Sequence, residues 1–350
     1  MAKINEGDII EGIFTIAVAL YIAEGKVNKN KLNRIRTQID PAFFATGRVT
    51  HTVAKNIKKQ LPNKRADFFN VGFEMRLKPK SVTGAFGKGY QVFYESARDV
   101  GNINKKVDQL IRSIEATQAG RQIAGAVNDF LKNNKPEIVD FIVIADGIEG
   151  ESSGGEIKGD VTLSTYVRSK SGSKKIHKGT IPFSIKSGSA TVANLSPYKG
   201  MLDIAAAMKI KWDAKKTYSR LSGSFSGSKE QKQKFKLIKS MYSDLKKEIG
   251  KISKQPNFTE TAFAFLRKSI FGRDLANVVD VREGQIKEIT VEYFDKLSKT
   301  TKLDIQEKGN NLVFIDKQTK NPIFQLRTKL REEANEAKFY LEVATGIYSR

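Results

Sequence analysis

The first strongly patterned segment of the chain is a nearly continuous apolar run over residues 7 to 24. Apart from the residues at its two ends, only Glu11 and Thr15 are polar. Its length and the glycine that follows predict a helix that ends at Gly25. Because this helix is apolar on every side, we expect it to be packed centrally. A second helical pattern, with apolar residues at intervals of three and four, covers residues 104 to 133 and predicts one long helix or two.

Strand patterns follow the second helical region. Residues 138 to 147 form an apolar, β-branched run typical of a buried strand, and residues 160 to 167 and 180 to 188 predict two more strands. Alternation of apolar and polar residues returns near the C-terminus, where it includes KEITVEYF (287 to 294). The whole pattern predicts a mixed α/β fold with a central mixed β-sheet flanked by helices, the first helix packing on the core.

The order of these patterns divides the chain into three segments. Residues 1 to 135 are an N-terminal helical and basic region, and residues 136 to 210 form the α/β core, which ends with a helix over residues 199 to 210. Residues 211 to 350 begin with a basic helical segment, including a Lys-rich helix over residues 229 to 250, and end with strands. We expect these C-terminal strands to complete the fold.

The charge balance indicates a polyanionic partner. The chain has 61 Lys and Arg against 38 Asp and Glu, a formal net charge of +23, and such an excess repels itself unless a polyanion is near. The basic residues run along the whole chain rather than in one amphipathic or juxtamembrane cluster, which favours nucleic acid over a membrane surface. The apolar run over residues 9 to 22 is too short to span a bilayer and lacks a preceding basic region, so we expect a cytoplasmic protein.

The rarer residue types exclude several classes of site. The chain has no cysteine, which excludes disulfides, thiolate zinc sites and cysteine nucleophiles. It has only two histidines, His51 and His177, so most histidine-based metal sites are excluded as well. Carboxylates and lysines are therefore the candidates for any chemistry.

One carboxylate and one lysine are expected to meet on two neighbouring strands. Asp160 opens the strand over residues 160 to 167, and Lys186 lies late in the next strand, two residues after Ser184 on the same face. If the two strands pair as an antiparallel hairpin, Asp160 and Lys186 lie near the same end. Metal-dependent phosphodiester hydrolysis uses such a pair. The alternative is an ordinary turn residue and a solvated lysine.

The segments GGEIKGDVTLS (154 to 164) and IPFSIKSGS (181 to 189) resemble the PD-(D/E)xK nuclease superfamily. The resemblance implies a restriction-endonuclease-like core with basic helical extensions. It also implies that Asp160 binds the metal, that Lys186 is the catalytic lysine, and that Glu11 on the first helix is a further metal-binding carboxylate. The implied cofactor is Mg²⁺ or Mn²⁺.

The sequence departs from the superfamily pattern at the second acid, where Ser184 stands and brings no charge to a metal. Ser184 is kept as a candidate active-site residue, and another carboxylate has to replace the missing acid. Glu11, Glu149, Glu151 and Glu156 are the candidates. Glu11 also has a simpler interpretation, because a carboxylate near a helix N-terminus interacts favourably with the helix dipole.

Six further residues are predicted to contact nucleic acid. All are basic, hydroxyl-bearing or amide-bearing side chains, the types that hold phosphate groups. They are Lys158, Ser187, Asn194, Lys199, Arg327 and Lys329. For the loop over residues 190 to 200 the alternative is an ordinary helix start, with Ser196 as the cap before Pro197.

These observations predict a metal-dependent DNA endonuclease that acts on double-stranded DNA in the cytoplasm of a bacterial or phage-infected cell. The alternative is a non-catalytic basic protein, such as a phage protein, that binds nucleic acid or takes part in assembly. Dependence on a divalent ion separates the two, because a binder needs only its basic surface. An RNA-binding module with aromatic stacking platforms is a weaker third hypothesis, since no RNA-binding motif is present.

Overall fold

The computed structural model describes eleven stretches of the chain, and all structural statements below concern them. They are residues 6–24, 69–75, 103–133, 138–145, 158–168, 176–187, 191–195, 199–211, 228–282, 285–331 and 336–343. The described helices are α1 (Glu6–Glu24), α2 (Ile103–Ala116), α3 (Gln118–Asn133), α4 (Lys199–Ala207), α5 (Ser228–Ile252), α6 (Phe258–Phe271) and α7 (Val291–Thr300). The described strands are β1 (Phe69–Met75), β2 (Ile138–Ala145), β3 (Val161–Arg168), β4 (Ile176–Lys186), β5 (Thr191–Leu195), β6 (Asn277–Arg282), β7 (Gln285–Ile289), β8 (Leu303–Lys308), β9 (Asn311–Asp316), β10 (Pro322–Arg331) and β11 (Glu336–Val343).

The described elements form two compact units. The first unit takes its elements from Met1–Gly188 and Phe271–Thr290, and the second from Ser189–Ile270 and Val291–Ser349. Strands β6 and β7 therefore belong to the first unit, although they lie within the predicted segment 211 to 350. The predicted mixed α/β class with a mixed sheet is confirmed, and a separate antiparallel sheet is added to it.

The first unit contains a six-stranded sheet in the order β1-β2-β3-β4-β6-β7. Strands β2, β3 and β4 form an antiparallel meander, in which Val161 of β3 lies opposite Phe183 of β4. Strand β4 then pairs in parallel with β6, so that Lys186 lies opposite Asp280. The parallel pairs β1·β2 and β4·β6 flank the meander, and β7 closes the described edge antiparallel to β6.

Helix α1 covers one face of this sheet, as its uniformly apolar sequence predicts. Phe14 and Phe183 are both buried and meet edge to face, with ring centroids 5.7 Å apart. The same core includes Val161 and Ile185. Because side chains alternate along a strand, residues next to these, such as Ser184, point to the opposite face.

The pattern over residues 104 to 133 resolves into two helices, because Thr117 interrupts it. The Thr117 hydroxyl donates to the Ile114 carbonyl at 2.7 Å and accepts from the Gly120 N–H at 3.0 Å, which makes it the cap of α3. Two more N–H groups of this helix start, those of Gln118 and Ala119, donate to the Glu288 carboxylate at 2.5 and 3.0 Å. Glu288 of β7 thereby fastens α3 to the edge of the sheet.

The second unit contains a five-stranded antiparallel sheet in the order β5-β11-β10-β9-β8, together with α4, α5, α6 and α7. Residues 287 to 294, predicted as one alternating strand, are instead the end of β7 and the start of α7. The strand prediction was wrong here because Val291, Phe294 and Leu297 recur at helical spacing and Phe294 is buried. No described helix is long and apolar enough to cross a membrane.

Candidate active site

Asp160 lies one residue before β3, and its position is fixed through its backbone and its side chain. Its N–H donates to the Phe183 carbonyl at 2.8 Å, which extends the β3·β4 ladder by one bond. Its carboxylate oxygen Oδ2 accepts from the Ile185 N–H at 2.8 Å. The antiparallel hairpin expected from the sequence is therefore present, and it brings Asp160 against the last residues of β4.

Ser184 and Lys186 converge on the same carboxylate oxygen. The Ser184 hydroxyl donates to Asp160 Oδ2 at 3.2 Å, and Lys186 Nζ lies 3.5 Å from this oxygen and 3.1 Å from the Ile185 carbonyl. The side chains of Lys186 and Asp160 keep 22% and 30% of their surface exposed, whereas Ser184 is buried. Three of the four predicted catalytic residues thus form one cluster that solvent reaches.

A second carboxylate lies beside this cluster on the neighbouring strand. Asp280 of β6 is directly opposite Lys186 in the parallel pairing, and corresponding residues of paired strands point to the same face. Asp280 is only 1% exposed, and Arg282 Nη2 lies 3.6 Å from its Oδ2. Asp280 was not among the residues predicted from the sequence, although an acid inside the run VVDV is a signal, since a buried carboxylate needs partners or a cation.

The turn that carries Asp160 is held by a third acid. The carboxylate of Asp274 accepts from the N–H groups of Lys158 and Gly159 at 2.9 and 2.8 Å. Gly159 is required by close packing, because a Cβ atom there would lie 2.9 Å from the Cβ of Pro182 and 3.0 Å from Asp274 Oδ2. Asp274 therefore positions Asp160 from a distance of more than a hundred residues in sequence, and no local pattern marks it.

Lys158 adds a second cation next to the cluster. Burial lowers the pKa of its ammonium group, and repulsion from Lys186 lowers it further, while Asp160 and Asp274 oppose the shift. This environment lets Lys158 exist as a neutral amine more readily than an exposed lysine does. The predicted phosphate contact of Lys158 stays a prediction.

Glu11 lies on α1, and α1 packs on the face of the sheet that carries Phe183 and Ile185. Ser184 and Lys186 belong to the opposite face. The backbone carbonyl of Glu11 accepts from the Thr15 hydroxyl at 2.8 Å, an ordinary contact within a helix. The metal-binding role of Glu11 stays a prediction.

The other predicted contacts are spread over both units. Ser187 is exposed directly after β4 in the first unit, and Arg327 is exposed on β10 in the second. By backbone position, Asn194 lies in β5, Lys199 begins α4, and Lys329 lies in β10. Glu149, Glu151, Glu156, Ser196 and Pro197 lie outside the described residues.

The donor set around Lys186 suits a hard divalent cation. Magnesium prefers oxygen ligands, and proteins commonly hold it through one or two carboxylates while it keeps several waters. Asp160 and Asp280 are two such carboxylates, and the Ile185 carbonyl is a further oxygen. The Lys186 ammonium already lies between Asp160 Oδ2 and this carbonyl, so a positive charge is accommodated there. Within the described residues no group of three or more His, Cys, Asp or Glu gathers at one point.

Comparison with known proteins identifies no relative. No family model matches the chain, and neither does any curated protein or solved structure. The resemblance of residues 154 to 164 and 181 to 189 to PD-(D/E)xK nucleases therefore stays a prediction. The function of this chain has to be inferred from the chemistry of the cluster around Asp160.

Proposed function

We propose that the chain is a metal-dependent DNA endonuclease of the PD-(D/E)xK type, built on a restriction-endonuclease-like core. The observation that carries the proposal is the contact between Asp160 Oδ2 and Lys186 Nζ at 3.5 Å, at the end of two paired strands. An acid and a lysine in this arrangement are what hydrolysis of a phosphodiester needs. The strands also hold both side chains without flexible supports, which favours catalysis over accidental proximity.

Each residue of the cluster has a role in this proposal. Asp160 is the first carboxylate ligand of Mg²⁺ or Mn²⁺, and Asp280 replaces the acid that is missing at Ser184. When bound, the ion supplies Lewis-acid activation of a phosphoryl oxygen. Lys186 orients the attacking water and offsets the charge that develops on the phosphate. Asp274 is a positioning residue, because it holds the turn before Asp160.

The substrate we propose is double-stranded DNA. The net charge of +23 supports a polyanionic substrate, and the fixed Asp160 and Lys186 side chains would meet a phosphodiester of its backbone. The proposed compartment is the cytoplasm of a bacterial or phage-infected cell, where DNA is accessible.

A non-catalytic DNA-binding or assembly protein is the second candidate, and Ser184 is the observation that favours it. The Ser184 hydroxyl donates to Asp160 Oδ2, so at this position the chain has a hydrogen-bond donor to the carboxylate instead of a second negative charge. A former nuclease that kept its fold for binding would show this change. The two candidates differ in whether Asp280 restores the lost charge.

Nicking of supercoiled plasmid tests the proposal. Purified protein is assayed with Mg²⁺, with Mn²⁺ and with EDTA, next to the variants Asp160→Asn, Asp280→Asn and Lys186→Ala. Lys178→Ala is the matched control, because Lys178 is an exposed lysine of the same strand. We expect metal-dependent nicking that falls by about 100-fold or more in the three cluster variants, the usual loss when a charge-stabilising group is removed, and that persists in Lys178→Ala.

Folding and DNA binding of every variant are measured in parallel by thermal unfolding and by fluorescence anisotropy. A wild-type protein that binds DNA but never cuts it with either metal contradicts the nuclease proposal and favours the binding protein. If Asp280→Asn cuts as well as the wild type while Asp160→Asn does not, the second carboxylate lies elsewhere, and Glu11→Gln is the next variant to assay.

A further inference from the structure

The second unit contains a cleft that the proposed reaction does not use. Its volume is about 720 Å³, and it lies between the start of α6, the end of α7 and the loop after β9. All lining residues belong to the second unit, between Ser253 and Lys317. The Asp160 cluster belongs wholly to the first unit, so the cleft is a separate site.

The charges around this cleft are strongly unequal. Four exposed lysines line it, namely Lys254, Lys299, Lys302 and Lys317. Among the lining residues the single acid is Glu260, which is exposed in the first turn of α6. The excess of positive charge in a concave site raises the local concentration of anions and favours their binding.

The walls that bear the lysines are fixed to one another. The Lys317 N–H donates to the Lys302 carbonyl at 2.7 Å, which joins the loop after β9 to the start of β8. The Leu303 N–H donates to the Thr259 hydroxyl oxygen at 3.0 Å, which joins β8 to α6. The segments that carry Lys302 and Lys317 are thus hydrogen-bonded to each other, and the strand after Lys302 is hydrogen-bonded to α6.

The interior of the cleft is aromatic and well packed. Phe263 and Phe294 are buried and lie edge to face, with ring centroids 5.5 Å apart. A fifth cation, Arg267, is already engaged by Asp295 at 2.9 and 3.4 Å. The four exposed lysines are therefore the cations that can turn toward a ligand, above a buried aromatic floor.

We infer that this cleft binds the sugar-phosphate backbone of DNA. Several cations spaced around an open groove suit a ligand that presents repeated single charges, and duplex DNA carries one charge for about every 1.7 Å of its axis. A flat bilayer surface fits a concave site poorly. The inference rests on the proposed function for the identity of the polyanion. It assigns the second unit a sequence-independent grip on the substrate.

Salt-dependent DNA binding in EDTA tests the inference without any cleavage. In the groove variant, the four cleft lysines are replaced by alanine. In the control variant, four exposed lysines outside the lining are replaced, which changes the net charge equally; these are Lys236, Lys239, Lys296 and Lys308. The affinity for a fluorescent duplex is measured by anisotropy between about 50 and 200 mM salt, the range in which phosphate contacts dominate.

The slope of log affinity against log salt is negative, and each phosphate contact adds about 0.9 to its magnitude. Four lost contacts therefore lower the magnitude of the slope by about 3.6, so over a fourfold rise in salt the groove variant loses about 150-fold less affinity than the wild type. The single substitution Lys302→Ala lowers the magnitude of the slope by about 0.9, whereas Lys308→Ala changes it less. This pair keeps the test valid if a fourfold variant folds poorly.

Equal slopes for the groove and control variants would overturn the inference, because general charge would then explain binding. So would a wild-type protein that does not bind the duplex. Competition with inorganic phosphate and with a single nucleotide adds another criterion. If either displaces the duplex from the cleft lysines at equal phosphate concentration, the site recognises single phosphates and the inference of a backbone grip fails. Because EDTA is present throughout, failure of the nuclease proposal leaves these outcomes unchanged.

Discussion

Replacing Ser184 by aspartate would place an acid next to Asp160, at the position that the proposed PD-(D/E)xK motif assigns to its second acid. The Ser184 hydroxyl oxygen lies 3.2 Å from Asp160 Oδ2 and is buried, so a carboxylate built there has no room to avoid its neighbour. In the absence of a divalent ion, two like charges would face each other. We therefore expect Ser184→Asp to be destabilised in EDTA and rescued by Mg²⁺.

Two independent estimates give the size of the effect. Two unit charges about 4 Å apart at an effective dielectric constant of about 20 repel by about 4 kcal/mol. The new carboxyl group can instead stay protonated in the folded state. Keeping it protonated at pH 7, about three pH units above its unfolded pKa, costs about 1.36 kcal/mol per unit, again about 4 kcal/mol. Lys186, 3.5 Å from Asp160 Oδ2, offsets part of this repulsion, so about 4 kcal/mol is an upper bound.

The pH dependence of this loss has a fixed sign. Repulsion raises the folded-state pKa of the new carboxyl above its unfolded value of about 3.9. The deficit relative to a neutral side chain is therefore small near pH 4, reaches about 1.5 kcal/mol at pH 5 and grows to its limit as the pH rises further.

Urea unfolding in EDTA measures the deficit, with Ser184→Asn as a neutral control of the same size. Titration with MgCl₂ should then stabilise Ser184→Asp by about 2.7 kcal/mol at a free concentration 100 times the dissociation constant, and stabilise Ser184→Asn much less. Equal stability of the two variants in EDTA would refute the geometry. A deficit that Mg²⁺ does not relieve would refute the metal site.

Two further predictions concern the stability of the folded chain. Gly159→Ala should lower the free energy of unfolding by about 1–3 kcal/mol, because the new Cβ would lie 2.9 Å from Pro182; Gly125→Ala, with open space at its Cβ, should not. The Gln318 N–H hydrogen bond lowers the pKa of Asp316 below its ordinary value of 3.8. The stability advantage of the wild type over Asp316→Asn should therefore be present above about pH 4 and vanish as the pH falls through the folded pKa, which acid unfolding of both proteins checks.

Much of the fold could be predicted from local patterns. The continuous apolar run of α1 and the β-branched run of β2 both supply buried core residues, such as Phe14 and Phe141, so their apolar positions alone indicate where the elements lie. The error at residues 287 to 294 has a local cause, because a strand and a helix share that window and neither period covers it completely. The sequence pattern could not show that the C-terminal strands form a second sheet, because the alternation of apolar and polar residues does not tell which strands pair.

In the candidate site, too, some neighbours could be predicted from the sequence and others could not. Asp160 and Lys186 lie on consecutive strands joined as a hairpin, so their meeting follows from the alternation of side chains and from chain order. Asp274 and Asp280 reach the site through the parallel pairing of β4 with β6, across about ninety residues of intervening chain. No periodicity in the sequence reports such a pairing.

This difference explains why Asp280 was not among the candidates for the second acid. Glu11 and the three glutamates that precede β3 are candidates because they lie near the motif in sequence or match the helix position of the superfamily. A parallel neighbour strand offers another route, since the residue opposite Lys186 projects from the same face at the same height. In the proposed nuclease, Ser184 occupies the position of the second acid and Asp280 on the adjacent strand supplies the charge. A nuclease needs both changes together, so Asp280→Asn and Ser184→Asp combined should cut DNA better than Asp280→Asn alone, whereas in a binding protein neither variant cuts.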